Sequence, residues 1–148
     1  MLELFGIKRN QLFCSSVDGY KIPLGANIFD YLREQFENHN LFVILMLSKN
    51  YYKSPACLNE MGAAWVLRAE YQSILLPGFA FKNVSGAIDP QKISFKLDDL
   101  NERQNRMTEL KDKLIDLFAL DYADHSIWER HRADFLKKVD GISNATKI

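Results

Sequence analysis

Leu41-Phe42-Val43-Ile44-Leu45-Met46-Leu47 is the longest uninterrupted apolar run in the chain. Seven residues fall far short of the ~20 that a membrane helix needs. An apolar run of this length with Val and Ile at its centre predicts a strand buried on both faces, as in a parallel sheet covered by helices. Downstream, Ser54-Pro55 provides an N-cap and a first-turn proline, predicting a helix through Met61, Ala64, Trp65 and Leu67. Ser73-Ile74-Leu75-Leu76 then reads as a second short strand, stopped by Pro77-Gly78. Upstream, Ile28, Phe29, Tyr31, Leu32 and Phe36 form one stripe at helical spacing between Asn27 and about Asn38. Gln11-Leu12-Phe13-Cys14 is a further short strand candidate, and Ile93-Ser94-Phe95-Lys96-Leu97 alternates as an edge strand does. Strands alternating with helices predict βαβ units and a parallel sheet. After Asp98-Asp99 a long helix carries Met107, Leu110, Leu114, Leu117 and Phe118, and a last one carries Trp128, His131, Phe135 and Val139. The expectation is one α/β domain with a helical C-terminal end.

The 148 residues suit one domain, and 47% hydrophobic with 26% charged residues is ordinary globular composition. Lys+Arg and Asp+Glu are 19 each, a net charge of zero, which argues against nucleic-acid or membrane partners held by bulk charge. Met1 to Gly6 has neither a basic n-region nor an apolar stretch, so no signal peptide is visible. Cys14 and Cys57 lack metal-type spacing, and reduced thiols in the cytoplasm are the simple inference.

Ligands of parallel sheets bind outside the carboxyl ends of the strands. Two loops are expected there: Ser15-Ser16-Val17-Asp18-Gly19-Tyr20-Lys21-Ile22-Pro23-Leu24-Gly25 and Ser48-Lys49-Asn50-Tyr51-Tyr52-Lys53-Ser54. The second leads into the helix with Cys57, Asn59, Glu60 and Trp65. Glu60 is the acid that stands out, in the second turn among apolar Leu58, Met61, Ala63 and Ala64, where the helix dipole should favour its ionised form. On the bare pattern, a solvated glutamate suiting a helix start is the commoner outcome. Other chemistries lack their residues. No Lys-Ser/Thr follows Gly19 and Gly25, no GxGxxG follows a strand, and Ser48-Lys49 stands where a receiver domain would have its aspartate. His39, His125 and His131 show no metal-type pairing, and neither cysteine has a histidine base in local sequence. Tyr51-Tyr52 reads as packing, Asn101–Arg106 as a solvated charged helix face, and Trp128 as an anchor for the last helix.

Taken together, these blocks resemble a TIR (Toll/interleukin-1 receptor) domain of the bacterial type. The resemblance rests on Leu12-Phe13-Cys14-Ser15-Ser16, on Asp18-Gly19, on Ile22-Pro23-Leu24-Gly25 and on the apolar strand running into Ser48–Ser54. Its most specific block is Cys57-Leu58-Asn59-Glu60-Met61-Gly62-Ala63-Ala64-Trp65, followed by Ile74-Leu75-Leu76-Pro77. It covers about Leu2 to Leu120, so residues 1–120 are assigned to the TIR-like domain and 121–148 to a C-terminal helical extension.

The resemblance implies a flavodoxin-like parallel sheet flanked by helices. In catalytic members it implies cleavage of the nicotinamide–ribose bond of NAD, giving nicotinamide with ADP-ribose or a cyclic product. NAD is then a substrate and no resident cofactor is implied. The family's catalytic glutamate falls on Glu60, and its pocket on Ser15, Ser16, Asp18, Gly19, Cys57 and Trp65. Ser15 to Gly25 matches the BB loop, through which such domains self-associate, in anti-phage defence among other settings. A stacking surface for nicotinamide or adenine would come from Tyr20, Tyr51, Tyr52 or Trp65. Two departures are visible: Ala56 stands where the family often has an aromatic, and the first strand, its loop and most of the first helix have no counterpart. Leu2 to Arg9 resembles the end of that helix. A non-catalytic TIR interaction module and an unrelated flavodoxin-like nucleotide or flavin binder are the alternative readings. An absent central strand would leave unpaired edges and apolar surface, an aggregation liability. Residues 1–148 are therefore expected to be less soluble, and to melt less cooperatively, than a version extended with a family-type first strand. A sharp, reversible melt of a monomer would overturn that expectation.

Overall fold

The apolar run rich in Val, Ile and Leu forms strand β1, Phe42–Leu47, but it is not buried on both faces as expected: Leu45 and Leu47 of one face are buried, whereas Phe42 and Ile44 of the other are only partly covered and Met46 is exposed. The computed structural model describes residues 7–8, 11–14, 28–89, 92, 94–120 and 124–145. They divide into two compact units, one Leu24–Asp99 and the other Met1–Pro23 with Leu100–Ile148. The Leu24–Asp99 unit carries helix α1 (Ile28–Asn38), β1, helix α2 (Pro55–Val66), strand β2 (Glu70–Leu75) and the short strand β3 (Phe95–Lys96). The other carries helices α3 (Arg103–Phe118) and α4 (His125–Ala145).

Strands β1, β2 and β3 form a parallel sheet in that order, so the architecture is α/β as expected. Register runs from Phe42 opposite Glu70 to Leu47 opposite Leu75. Because side chains alternate along a strand, Val43, Leu45 and Leu47 share a face with Tyr71, Ser73 and Leu75. On that face lies a core of Leu45, Leu47, Tyr71 and Leu75 with Tyr51, Phe79 and Met61 of α2. Leu47 and Leu75, opposite each other, have no exposed surface. The other face aligns Phe42, Ile44 and Met46 with Ile74 and Phe95, of which Ile74 and Phe95 are buried and Met46 is partly open.

Helix α2 starts where its sequence signals predict. The Ser54 hydroxyl accepts a hydrogen bond from the Cys57 N–H at 3.3 Å, and Pro55, lacking an N–H, occupies the first helical position. Met61 and Ala64 are its buried residues, one turn apart in the register of Cys57. At the other end, Arg68 turns the chain toward β2 with φ 52°, a left-handed conformation that normally favours glycine.

The second unit shows α3 with Arg103, Met107, Lys111 and Leu114 buried on one face. In α4, Trp128, Leu136 and Val139 are buried. Arg103 reaches Asp140 by two hydrogen bonds, 2.6 and 2.9 Å long, and Arg132 donates to the Thr108 hydroxyl at 2.7 Å. Lys111 and Arg132 each sit 5.8 Å from the centre of the Trp128 ring.

Two further expectations need correction. Leu12, Phe13 and Cys14 form no strand, and the sheet among the described residues starts at β1. The run is too short, and has no β-branched residue, to hold extended backbone by itself. The charged run Asn101–Arg106 is not all solvated, since Arg103 is 7% exposed. Its spacing to Met107, Lys111 and Leu114 puts it on the buried face, where Asp140 of α4 meets its charge. Residues 73–76 and 93–97 do contribute strands, as β2 and as β3 at the sheet's edge. Both cysteines are free thiols.

The cap at Ser54 yields a test. Ser54→Ala should destabilise the protein by about 1 kcal/mol, the usual cost of a lost N-cap, measured by urea unfolding followed by far-ultraviolet circular dichroism.

Candidate functional site

Parallel β1 and β2 both end at Leu47 and Leu75, and the segments that follow them meet beyond that edge of the sheet. After β1 the chain makes a single helical turn at Tyr51–Lys53 before α2. The Ser48 hydroxyl holds the start of that turn by accepting from the Tyr51 N–H at 3.0 Å. Tyr51 is buried beneath α2 and its hydroxyl donates to the Cys57 carbonyl at 2.8 Å. Burial raises the Tyr51 phenol well above its ordinary value, with nearby Cys57 and Glu60 acting in the same direction. It is therefore a fixed hydrogen-bond donor at every physiological pH.

Glu60 lies on α2 one turn beyond Cys57, half-buried. Desolvation raises its carboxyl above the ordinary glutamate value of 4.5. The helix dipole was expected to pull the other way, toward the ionised form. It fades beyond the first turn, and Glu60 is the sixth residue of the helix, so burial wins. No hydrogen-bond donor among the described residues compensates the carboxylate. A partly desolvated carboxylate is screened less than one fully in water, so it can stabilise positive charge that develops beside it.

The remaining expected site residues are distributed unevenly. Cys57 and Glu60 fall within one turn of α2, with Cys57 against the core under the helix. Trp65 is 63% exposed and, at about 100° per residue, points roughly 140° around the helix from Glu60. The structure thus separates Trp65 from Glu60. Ser15, Ser16, Asp18 and Gly19, with Tyr20 and the rest of the loop to Gly25, lie outside the described residues. Among the described residues no group of three or more His, Cys, Asp or Glu side chains could hold a metal ion, and no helix is long and apolar enough to cross a membrane.

A second feature occupies the opposite flank of α2. An open groove of about 710 Å3 is lined by Lys49, Tyr52, Lys53 and Leu58 together with Phe79, Asn83, Ser85 and Gly86. Leu58 is roughly 160° around the helix from Glu60, so the groove and the carboxylate do not form one site. The Tyr52 ring stacks on Phe79 with centroids 5.5 Å apart and planes 17° from parallel. Its hydroxyl donates to the Ser85 carbonyl at 3.0 Å and accepts from the Ser85 N–H at 3.1 Å. Nothing local in Phe79 or in 83–86 signalled this role, since these residues reach Tyr52 only through the pairing of β1 with β2.

Among curated proteins, the chain is similar to YddK of Bacillus subtilis (strain 168), a protein described there as uncharacterized. The two are 35% identical over 139 residues, 94% of this chain and 50% of YddK. The chain spans half the length of this curated relative. No family model matches the sequence, and no solved structure matches it.

The raised Glu60 carboxyl has a consequence for stability. Its folded-state value lies above its unfolded one, so the folded state holds the proton more tightly and stability falls as pH rises through that window. Glu60→Gln, which keeps the shape without the charge, should raise Tm at neutral pH. The gain should shrink toward zero as pH drops below 4.5, as scanning calorimetry across pH would record.

Proposed function

We propose that this chain is a cytoplasmic TIR-type NAD nucleosidase of flavodoxin-like fold, with Glu60 as its catalytic carboxylate. The observation that carries the reading is the half-buried Glu60 carboxylate on the helix that follows β1, with no compensating donor among the described residues. The block from Cys57 to Trp65 around it supplies the resemblance to the family. The chemistry asks for little more. Nicotinamide departs as a neutral group from a cationic pyridinium, so no general acid is required. The electron pair of the breaking C–N bond goes to the nicotinamide nitrogen, leaving an oxocarbenium-like ribosyl centre. The Glu60 carboxylate stabilises that centre and holds the ribose hydroxyls. Water adds at the anomeric carbon and loses a proton, giving ADP-ribose, or an internal nucleophile closes a cyclic product. Self-association through the segment from Ser15 to Gly25 belongs to this reading, as does a role in anti-phage signalling.

One observation favours a second reading, that of a non-catalytic TIR interaction module. Trp65, Val66 and Leu67 form an exposed apolar run at the end of α2, of the kind that marks contact surfaces.

Nicotinamide release from NAD, followed by chromatography at high protein concentration, separates the two. The nucleosidase reading expects release that falls on the order of 100-fold or more in Glu60→Ala, the scale of losing a main electrostatic stabiliser. Rates should climb with pH as Glu60 loses its proton, with a midpoint above 4.5. Release that persists in Glu60→Ala would remove Glu60 from the reaction. No release from either protein, nor from a chain extended with a family-type first strand, would favour the interaction module.

A further inference from the structure

We infer that the groove on the Leu58 flank of α2 is a binding site for a nucleoside diphosphate, separate from Glu60. In this arrangement Lys49 and Lys53 hold the phosphates and the base lies against Tyr52. The inference does not depend on the nucleosidase reading, because it concerns the opposite side of the helix.

Position is the first argument. The groove lies beyond the carboxyl ends of β1 and β2, where parallel sheets collect ligands, and segments following both strands build it. Charge is the second. The chain as a whole is neutral, yet the groove is lined by two lysines and by no aspartate or glutamate. No carboxylate among the described residues forms an ion pair with either lysine. Both side chains are exposed, so their ammonium groups stay hydrated and free to take a phosphate. Lys49 precedes and Lys53 ends the turn at Tyr51–Lys53, and both line the groove.

The third argument is rigidity. Tyr52 is held at its hydroxyl by both the donor and the acceptor of Ser85, and at its ring by Phe79. With Phe79 stacked on the ring and Tyr51 edge-on to it at 5.7 Å, the part of the ring left lining the groove is held still, and a base against it costs little further side-chain freedom. Gly86, also in the lining, has φ 84° and packs so close to α2 that a Cβ there would lie 3.1 Å from the Met61 sulfur. Asn83 adds an exposed amide that can donate and accept at a base edge. The groove, about 710 Å3, is open along its length, so a ligand there would remain partly in solvent and depend on the lysines for most of its hold.

Calorimetric titration of the full chain with ADP, and separately with inorganic pyrophosphate, tests the assignment. Saturable one-site ADP binding is expected, tighter than pyrophosphate because only ADP offers a base to Tyr52. Lys49→Gln combined with Lys53→Gln should weaken ADP by at least about ten-fold, since charge-assisted contacts to phosphate are lost. Asn83→Ala should weaken ADP and leave pyrophosphate unchanged. Each of these positions is exposed, so the variants should keep the parent circular dichroism spectrum. An absence of saturable ADP binding, an affinity unchanged in the double lysine variant, or pyrophosphate binding as tight as ADP would each overturn the inference.

Discussion

Two parallel strands cannot be joined by a tight turn, since the chain leaving the end of one must travel back before it can run beside it again. The pairing of β1 with β2 therefore requires a crossover, and α2 is that crossover. Everything functional about the Leu24–Asp99 unit follows from this constraint. The helix has to start near the carboxyl end of β1, which brings the Tyr51–Lys53 turn, Cys57 and Glu60 to that edge of the sheet. It also has to cover the Val43, Leu45 and Leu47 face, which commits Cys57, Met61 and Ala64 to the core side of the helix. Glu60 and Leu58 are left on its two flanks, and the unit presents two chemically different surfaces.

How much of this could be read from residues alone varied with the range of the interactions. Strand β1 and the start of α2 were legible because their causes are local: a continuous apolar run, and a serine followed by proline. The segment from Gln11 to Cys14 was misread because two apolar neighbours mimic a strand when no partner is known. Arg103 was misread because a charge run in sequence says nothing of which member faces inward. Only its spacing to Met107, Lys111 and Leu114, and an aspartate 37 residues away, reveal that it is buried. Glu60 could be singled out, whereas the balance between helix dipole and desolvation could not, because burial is a tertiary quantity. The groove was invisible for the same reason: Tyr52 and Ser85 are 33 residues apart.

The half-buried Glu60 carboxylate carries a stability cost of its own. A carboxylate partly withdrawn from water, with no compensating donor among the described residues, lowers the stability of the folded state. The rest of the surroundings, including the locked Tyr51 hydroxyl, is rigid and ordinary.

The two tryptophans, one in each unit, lie at opposite extremes of exposure. Trp65 stands in solvent at 63%, while Trp128 is 3% exposed between Lys111 and Arg132. The indole of Trp65 emits from water whether or not its helix is folded, so its fluorescence changes little on unfolding. The emission of Trp128 comes from a packed, cation-flanked setting and shifts when that setting is lost. Intrinsic fluorescence of this protein is thus a reporter of α3 and α4, and events around the sheet and Glu60 leave it almost unmoved.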